Sequence, residues 1–201
     1  MAVVHRFRKP AWFLPATVVA LAAFVCLPVL AQGDGEDDPP PQAGRLSALY
    51  GTVSIQPAGS DDWGQGYLNL PLAPGDRIFT DRDGRAEVQV GRVWLRIGPN
   101  SDVTLVDASA RALTYGVAQG SVVARTQGLW PNQRLYVQTP SGTVTVTEPA
   151  GVRVDVMPSE QAAVFSDRWG SSFVSGAGGF EQPLSQGQAL ELGGTNPVSP
   201  Q

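Results

Sequence analysis

Leu72-Ala-Pro-Gly-Asp-Arg-Ile78 opens the stretch that decides the fold, and Gly84-Arg-Ala-Glu-Val-Gln-Val90 and Val93-Trp-Leu-Arg-Ile97 continue it. In the second and third segments apolar and polar residues alternate, and this period of two residues is typical of a strand with one buried face. Between the segments stand Gly, Pro and Asp, the residues that favour tight reversals of the chain. The stretch therefore predicts short antiparallel strands joined by tight turns.

The same alternation recurs further along the chain, in Thr143–Val146 and Gly151–Val156. No segment after Gln32 shows helical spacing over as many as about ten residues. We therefore predict an all-β fold, a rolled β-sandwich of about a dozen short antiparallel strands, preceded by a signal-peptide helix and a disordered linker. The residues expected to point inward in the deciding stretch are Ala86, Val88, Val90, Val93, Leu95 and Ile97.

A short glycine motif recurs at unequal intervals, which excludes a regular solenoid repeat. Its three copies are Leu72-x-x-Gly75-Asp76, Val117-x-x-Gly120-Ser121 and Leu184-x-x-Gly187-Gln188. Only glycine adopts positive φ freely or allows a neighbour to approach its backbone closely. We expect each of these glycines to lie at such a position in a strand-turn unit that the domain uses more than once.

The N-terminus has the features of a secretory signal peptide. Arg6, Arg8 and Lys9 precede the apolar segment Ala11–Leu30, and Val29-Leu30-Ala31 places small or apolar residues before a cut at Gln32. An apolar segment of about 20 residues is also long enough to remain as a membrane anchor, which is the alternative. In both cases the remainder is expected outside the cytoplasm, as a periplasmic or secreted protein, without membrane contact after cleavage.

The expected organisation has four parts. Residues 1–31 form the signal peptide, and residues 32–43 form a disordered linker rich in proline and acidic residues. Residues 44–193 form the β domain, which is long enough to bury a core of its own. Residues 194–201 form a disordered tail.

The composition beyond the signal peptide excludes most catalytic chemistry. The single His, the single Cys and the only Lys all lie within residues 1–31, so the remainder has no Ser-His or Cys-His pair, no Schiff-base lysine, no disulfide and no His/Cys zinc site. Its 11 arginines and 18 acidic residues give a net charge of −7, which disfavours nucleic acid and anionic lipid as partners. We expect a protein that is not an enzyme and has no cofactor.

Two acidic features are candidate sites. Counted from Asp81, a calcium loop would need an oxygen ligand at its fifth position and Gly at its sixth, where Arg85 and Ala86 stand, so a β-turn without metal is expected at Asp83-Gly84. Asp61-Asp62, Asp102 and Asp107 could serve a glycosidase that uses only carboxylates, but nothing in the sequence brings them together. No catalytic, cofactor-binding or metal residue is therefore predicted.

The motifs of the chain, taken in order, resemble the FecR domain of bacterial cell-envelope proteins. The resemblance covers roughly Arg45 to Leu192. Besides the alternating strand pair described above, its motifs are Gly51-Thr-Val-Ser-Ile55, Asp62-Trp63, Leu72-x-x-Gly75-Asp76-x-Ile78-x-Thr80, Leu113–Ala124 and Val137-Gln-Thr-Pro-Ser-Gly142. The resemblance implies a non-catalytic, exported protein-interaction module of the cell-surface signalling type.

Two departures from the family pattern point to a divergent branch. Thr147-Glu-Pro-Ala-Gly-Val152 stands where the signalling members usually carry Arg-Gly-Thr. Only ten residues precede the apolar segment, so the cytoplasmic segment with which the iron-transport regulators hold a sigma factor is expected to be absent. The sequence does not predict the oligomeric state.

Candidate binding residues are Arg92, Trp94, Arg96 and Trp130. Trp94 lies between two arginines and opposite Val93 and Leu95, so strand alternation points it outward. Trp and Arg are the residues most enriched at binding hot spots. The expected partner is another envelope protein, and the alternative is a carbohydrate, such as cell-wall glycan, stacked on the tryptophans. Trp63 is expected to be a structural plug.

Overall fold

The computed structural model describes residues 43–157, 159, 161–193 and 196–197, so the expected signal-peptide helix and nearly all of the expected linker lie outside it. Within these residues 3-10 geometry occurs at Ser159 and in the turn Ala177–Gly179, and there is no α-helix and no helix long and apolar enough to cross a membrane. The seventeen strands are β1 (Gly44–Tyr50), β2 (Val53–Gln56), β3 (Gly64–Gln65), β4 (Pro71–Leu72), β5 (Arg77–Thr80), β6 (Arg85–Val90), β7 (Val93–Ile97), β8 (Ser101–Ala108), β9 (Ala112–Thr126), β10 (Arg134–Gln138), β11 (Gly142–Val146), β12 (Ala150–Met157), β13 (Ala162–Trp169), β14 (Ser171–Gly176), β15 (Glu181–Ser185), β16 (Ala189–Gly193) and β17 (Asn196–Pro197).

The strands form two sheets that share β9. Sheet A has the order β4-β1-β6-β7-β9-β12-β13-β16-β17, and sheet B has the order β3-β2-β5-β8-β9-β10-β11-β14-β15. The first half of β9 pairs with β8 and β10, whereas its second half pairs with β7 and β12. The all-β sandwich predicted from the alternation is confirmed.

Gly120 marks the point where β9 leaves one sheet for the other. Its φ is +90°, and a Cβ at this position would collide with the side chain and Cα of Ser101. Gly75 and Gly187, its counterparts in the recurring motif, have φ values of +97° and +83°. The expected backbone role of the three glycines is therefore confirmed, because each occupies a conformation that side chains disfavour.

One hydrophobic core lies between the sheets, and it includes all six residues of the deciding stretch that were expected to point inward. Val144 and Val146 of β11 and Val152, Val154 and Val156 of β12 also belong to it, as the alternation predicts. Each such side chain contributes about 1.5–3 kcal/mol when it leaves water. Since the only Cys lies in the first 31 residues, burial stabilises this domain without a disulfide.

The structure differs from the expectation in four respects. It has seventeen strands, β9 spans 15 residues, and β9 pairs with β10 in parallel. Parallel neighbours need a crossover between them. Here the second half of β9, which belongs to sheet A, and the loop of residues 127–133 make that crossover. In addition, β17 lies within the segment expected to be a tail and pairs with β16.

Candidate functional site

Trp94 lies on the outer face of sheet A, as the alternation predicts. The burial pattern of β7 places Val93, Leu95 and Ile97 inward, and leaves Trp94 partly buried and Arg96 exposed. The register then adds neighbours that the sequence does not reveal. Trp94 is paired with Gln89 of β6 on one side and with Arg125 of β9 on the other.

A second tryptophan continues this row of residues. Arg125 is paired with Gly151 of β12, and Gly151 is paired with Trp169 of β13. A Cβ at position 151 would collide with Nε1 of Trp169, so the indole lies directly against the Gly151 backbone. We call Arg92, Trp94, Arg96, Arg125 and Trp169 the sheet A surface.

The arginines of this region differ in whether a carboxylate binds them. Arg96 Nε donates to Glu87 Oε2 at 2.9 Å, and Arg153 Nε donates to Asp155 Oδ2 at 2.7 Å. Although burial opposes ionisation, the hydrogen bonds that Glu87 accepts from Arg96 and Ser47 hold its pKa below the ordinary value. Among the described residues, Arg92 and Arg125 have neither an ion pair nor a side-chain hydrogen bond.

Trp130 lies beside the sheet A surface, at the first position of a tight turn. Gln133 N donates to Trp130 O at 2.9 Å, and Asn132 has a φ of +64°, the pattern of a type II turn with proline at its second position. The buried Gln133 side chain fixes this turn, because its Nε2 donates to Ser109 O and its Oε1 accepts from Trp130 N. Trp130 is thereby held with half of its surface exposed.

A cavity of about 490 Å³ lies between the Trp130 turn and the loop before β12, and Arg134 and Glu148 are among its lining residues. Gly128, in its wall, is adjacent to Arg92: a Cβ there would lie 3.4 Å from Arg92 Nη1. This wall of the cavity therefore lies next to Arg92 of the sheet A surface. Trp130, predicted as an exposed loop tip, and Arg92, Trp94 and Arg96, predicted together, lie in one region of the molecule.

The outer face of sheet B carries another exposed tryptophan. Trp63, which the sequence predicts to be a structural plug, is 44% exposed. The Arg77 guanidinium lies over its ring, 5.5 Å from the centroid, and Phe79 meets it edge to face with the centroids 6.3 Å apart. Asp102 binds Arg77 through both carboxylate oxygens, with Arg77 Nε 2.7 Å from Asp102 Oδ1.

This tryptophan opens onto a cavity of about 390 Å³, which we call the Trp63 pocket. Its apolar lining includes Ile55, Leu70 and Pro71, and its rim includes Asp62 and Gln65. Tyr67, another lining residue, is 59% exposed.

The acidic residues weighed as sites do not come together. Asp102 is bound to Arg77, Asp107 Oδ1 accepts from Ser109 N at 2.8 Å, and Gly84 N donates to Asp81 O at 2.9 Å in a tight turn. Within the part of the chain that the structure describes, no group of three or more His, Cys, Asp or Glu side chains could hold a metal ion.

Sequence reasoning missed Arg125, Trp169 and the Trp63 pocket. Arg125 and Trp169 become neighbours of Trp94 only through strand pairings between distant segments, for which the local pattern carries no signal. Trp63 lacked a visible partner because Arg77 and Phe79 reach it from a strand 14 and 16 residues further along the chain. The residues around Trp63, Asp61-Asp62-Trp63-Gly64-Gln65, are mostly polar and show no apolar–polar alternation. This pattern was the signal in the sequence that could have indicated an exposed position.

Two crystal structures share this fold. Both are of a "putative anti-sigma factor" from Parabacteroides distasonis ATCC 8503, at 2.50 and 1.65 Å resolution, and each has a TM-score of 0.55 and 12% sequence identity. The match covers 62% of this chain and 58% of that chain. No protein-family model and no curated protein matches this sequence. At this identity the likeness concerns the fold alone.

Proposed function

We propose that this chain is an exported, non-catalytic FecR-like module, which binds an acidic surface or segment of another cell-envelope protein. The order of FecR motifs between Arg45 and Leu192 supports the family, and the fold shared with a protein described as an anti-sigma factor supports a regulatory, signalling type of role. The signal-like residues 1–31 support export.

The observation that carries the proposal is the chemistry of the sheet A surface. Trp94 and Trp169 flank Arg125, and neither Arg125 nor Arg92 has an ion pair among the described residues. Arg and Trp dominate interface hot spots, and unpaired guanidinium groups bind carboxylates through two parallel hydrogen bonds. An acidic partner would supply carboxylates to Arg92 and Arg125, whereas Arg96 of the same face is already bound by Glu87.

The test is photo-crosslinking in cells that express the full chain, with a photoreactive residue at position 94. The proposal predicts a discrete protein adduct, whose partner is then identified by mass spectrometry. The same residue at position 95 is the matched control, because Leu95 is fully buried one position away on the same strand.

Charge reversal separates a specific contact from chance proximity. Arg125→Glu is expected to remove the adduct, because it opposes an acidic partner without touching the core. A folded and exported protein that gives no adduct from position 94 would overturn the proposal. An adduct of equal yield from positions 94 and 95 would do the same.

A further inference from the structure

The Trp63 pocket has the construction of a rigid aromatic binding site. Arg77 covers part of the indole, Phe79 packs against it, and Asp102 fixes Arg77, so Trp63 is held in place before any ligand arrives. An aromatic side chain that is already ordered loses little entropy when it binds. The exposed 44% of Trp63 therefore offers a fixed apolar platform.

The charges around Trp63 disfavour an anionic ligand. The cation over the indole, Arg77, is bound by Asp102 through both carboxylate oxygens. Asp76 lines the pocket, but its carboxylate accepts hydrogen bonds from Ala58 N and Ala73 N, each at 2.8 Å. Asp62 adds a second carboxylate at the rim. A phosphate or carboxylate ligand would meet the like charges of Asp62 and Asp76.

The polar groups at the rim suit a ligand that bears hydroxyl or amide groups. Among the described residues, the side chains of Asp62, Gln65 and Tyr67 have no hydrogen-bond partner. Together they offer acceptors and donors that one neutral ligand could satisfy. They stand around an apolar floor of Ile55 and Leu70, with Trp63 and Tyr67 as the aromatic surfaces.

We propose that the Trp63 pocket binds a neutral glycan of N-acetylhexosamine units. A pyranose ring presents a face of C–H groups to an indole, while its hydroxyl groups remain at the edge to meet Asp62 and Gln65. The acetamide methyl group adds an apolar part that fits the Ile55 and Leu70 floor. A volume of about 390 Å³ lies within the range of small-molecule sites.

This site is independent of the proposed protein-binding surface, since Trp63 lies on sheet B and Trp94 on sheet A. Calorimetric titration of the protein, purified after expression of the full chain, with the hexamer of β-1,4-linked N-acetylglucosamine tests it. Saturable binding is expected, and the glucose hexamer, which lacks the acetamide groups, should bind about tenfold more weakly.

Variants locate the site. Trp63→Ala is expected to weaken binding of the N-acetylglucosamine hexamer by about tenfold or more, whereas Trp130→Ala, which removes the exposed tryptophan near sheet A, should leave it within about twofold. Should Trp63→Ala fail to fold, Tyr67→Ala decides, because Tyr67 is 59% exposed and its loss is expected to leave the fold intact. No saturable binding, or equal binding by a folded Trp63→Ala or, failing that, Tyr67→Ala variant, would overturn the proposal.

A pelleting experiment distinguishes two sources of the N-acetylhexosamine glycan, the cell wall and an external polysaccharide. Pelleting with purified cell-wall sacculi would identify the wall as the source of the glycan, and pelleting with chitin alone would identify an external polysaccharide. Either result supports the site if Trp63→Ala abolishes it. Pelleting that survives Trp63→Ala would place glycan binding elsewhere.

Discussion

Each outer face of the sandwich carries a tryptophan beside an arginine, but only one of these arginines has its charge satisfied. On sheet B, Arg77 lies over Trp63 and is bound by Asp102. On sheet A, Arg125 is paired in register with Trp94 and binds no carboxylate among the described residues. A neutralised arginine supports its tryptophan as a rigid apolar platform, whereas an unpaired arginine leaves a charge for a partner to meet. Although both sites combine a tryptophan with an arginine, we therefore expect them to bind different ligands.

Both faces depend on the bend of β9 at Gly120, and breaking this bend should have the largest effect. Gly120→Val combines a φ of +90° with a collision against Ser101, so we expect a loss of about 3 kcal/mol or more in the free energy of unfolding, measured by urea denaturation. Gly116→Ala on the same strand is the control. Its Cβ would make an ordinary 3.4 Å contact with Val106, and the change should stay within about 1 kcal/mol. Equal losses in the two variants would show that the bend is not set by this glycine.

The two arginines should also differ in their contribution to stability. Arg77→Ala leaves the Asp102 carboxylate, whose side chain is only 12% exposed, without its partner. We expect a loss of about 1–2 kcal/mol, at the low end for a buried group because Arg77 itself is 44% exposed. Arg125→Ala should change the free energy of unfolding by less than about 0.5 kcal/mol. Similar losses for both variants in urea denaturation would refute the contrast between a bound and an unbound arginine.

A buried carboxylate in the interior should make the stability depend on pH in the opposite direction to the exposed Arg96–Glu87 pair of sheet A. Burial raises the pKa of Asp167 despite its hydrogen bonds with Ser172, and its Oδ2 has no partner among the described residues. Because its folded-state pKa is raised, stability should fall as pH rises from its ordinary pKa through the folded value. Asp167→Asn should remove this slope and stabilise the protein by about 1 kcal/mol at neutral pH.

Urea denaturation at several pH values checks this expectation. If the free energy of unfolding of the Asp167→Asn variant depends on pH as steeply as that of the unchanged protein, Asp167 does not cause this dependence.

The Arg96–Glu87 pair on sheet A should have the smallest effect. The Arg96 side chain is 67% exposed, so Glu87→Gln is expected to cost less than about 0.5 kcal/mol at neutral pH. Since the folded-state pKa of Glu87 is lowered, this contribution is present above its ordinary pKa and is lost as pH falls through the folded value. Stability curves of the variant and the unchanged protein should therefore converge at acid pH. A constant difference at all pH values would exclude the ion pair as the cause.

The local sequence pattern predicted those features of the fold that depend on residues close together in the chain. Alternation predicted the inward faces of β6 and β7 and the outward direction of Trp94, and the recurring motif predicted the backbone role of Gly120. The local pattern did not predict which distant segments pair as neighbouring strands. The sharing of β9 by two sheets, its parallel pairing with β10, and the meeting of Arg125 with Trp94 all depend on register.

Trp63 shows the same limit. It follows a polar turn, and nothing adjacent in the sequence indicates that Arg77 and Phe79 contact it or that 44% of it stays exposed. Exposure of a tryptophan outside a regular strand is set by tertiary neighbours.

The most direct test of the contrast between the faces is the yield of the protein adduct from a photoreactive residue at position 94, measured in cells with two further substitutions made separately. Arg125→Glu is expected to remove the adduct, because it reverses the unpaired charge, whereas Trp63→Ala should leave the yield unchanged, because it alters the opposite face. An adduct that persists in Arg125→Glu, or that disappears in a folded Trp63→Ala protein, would contradict the assignment of partner binding to sheet A.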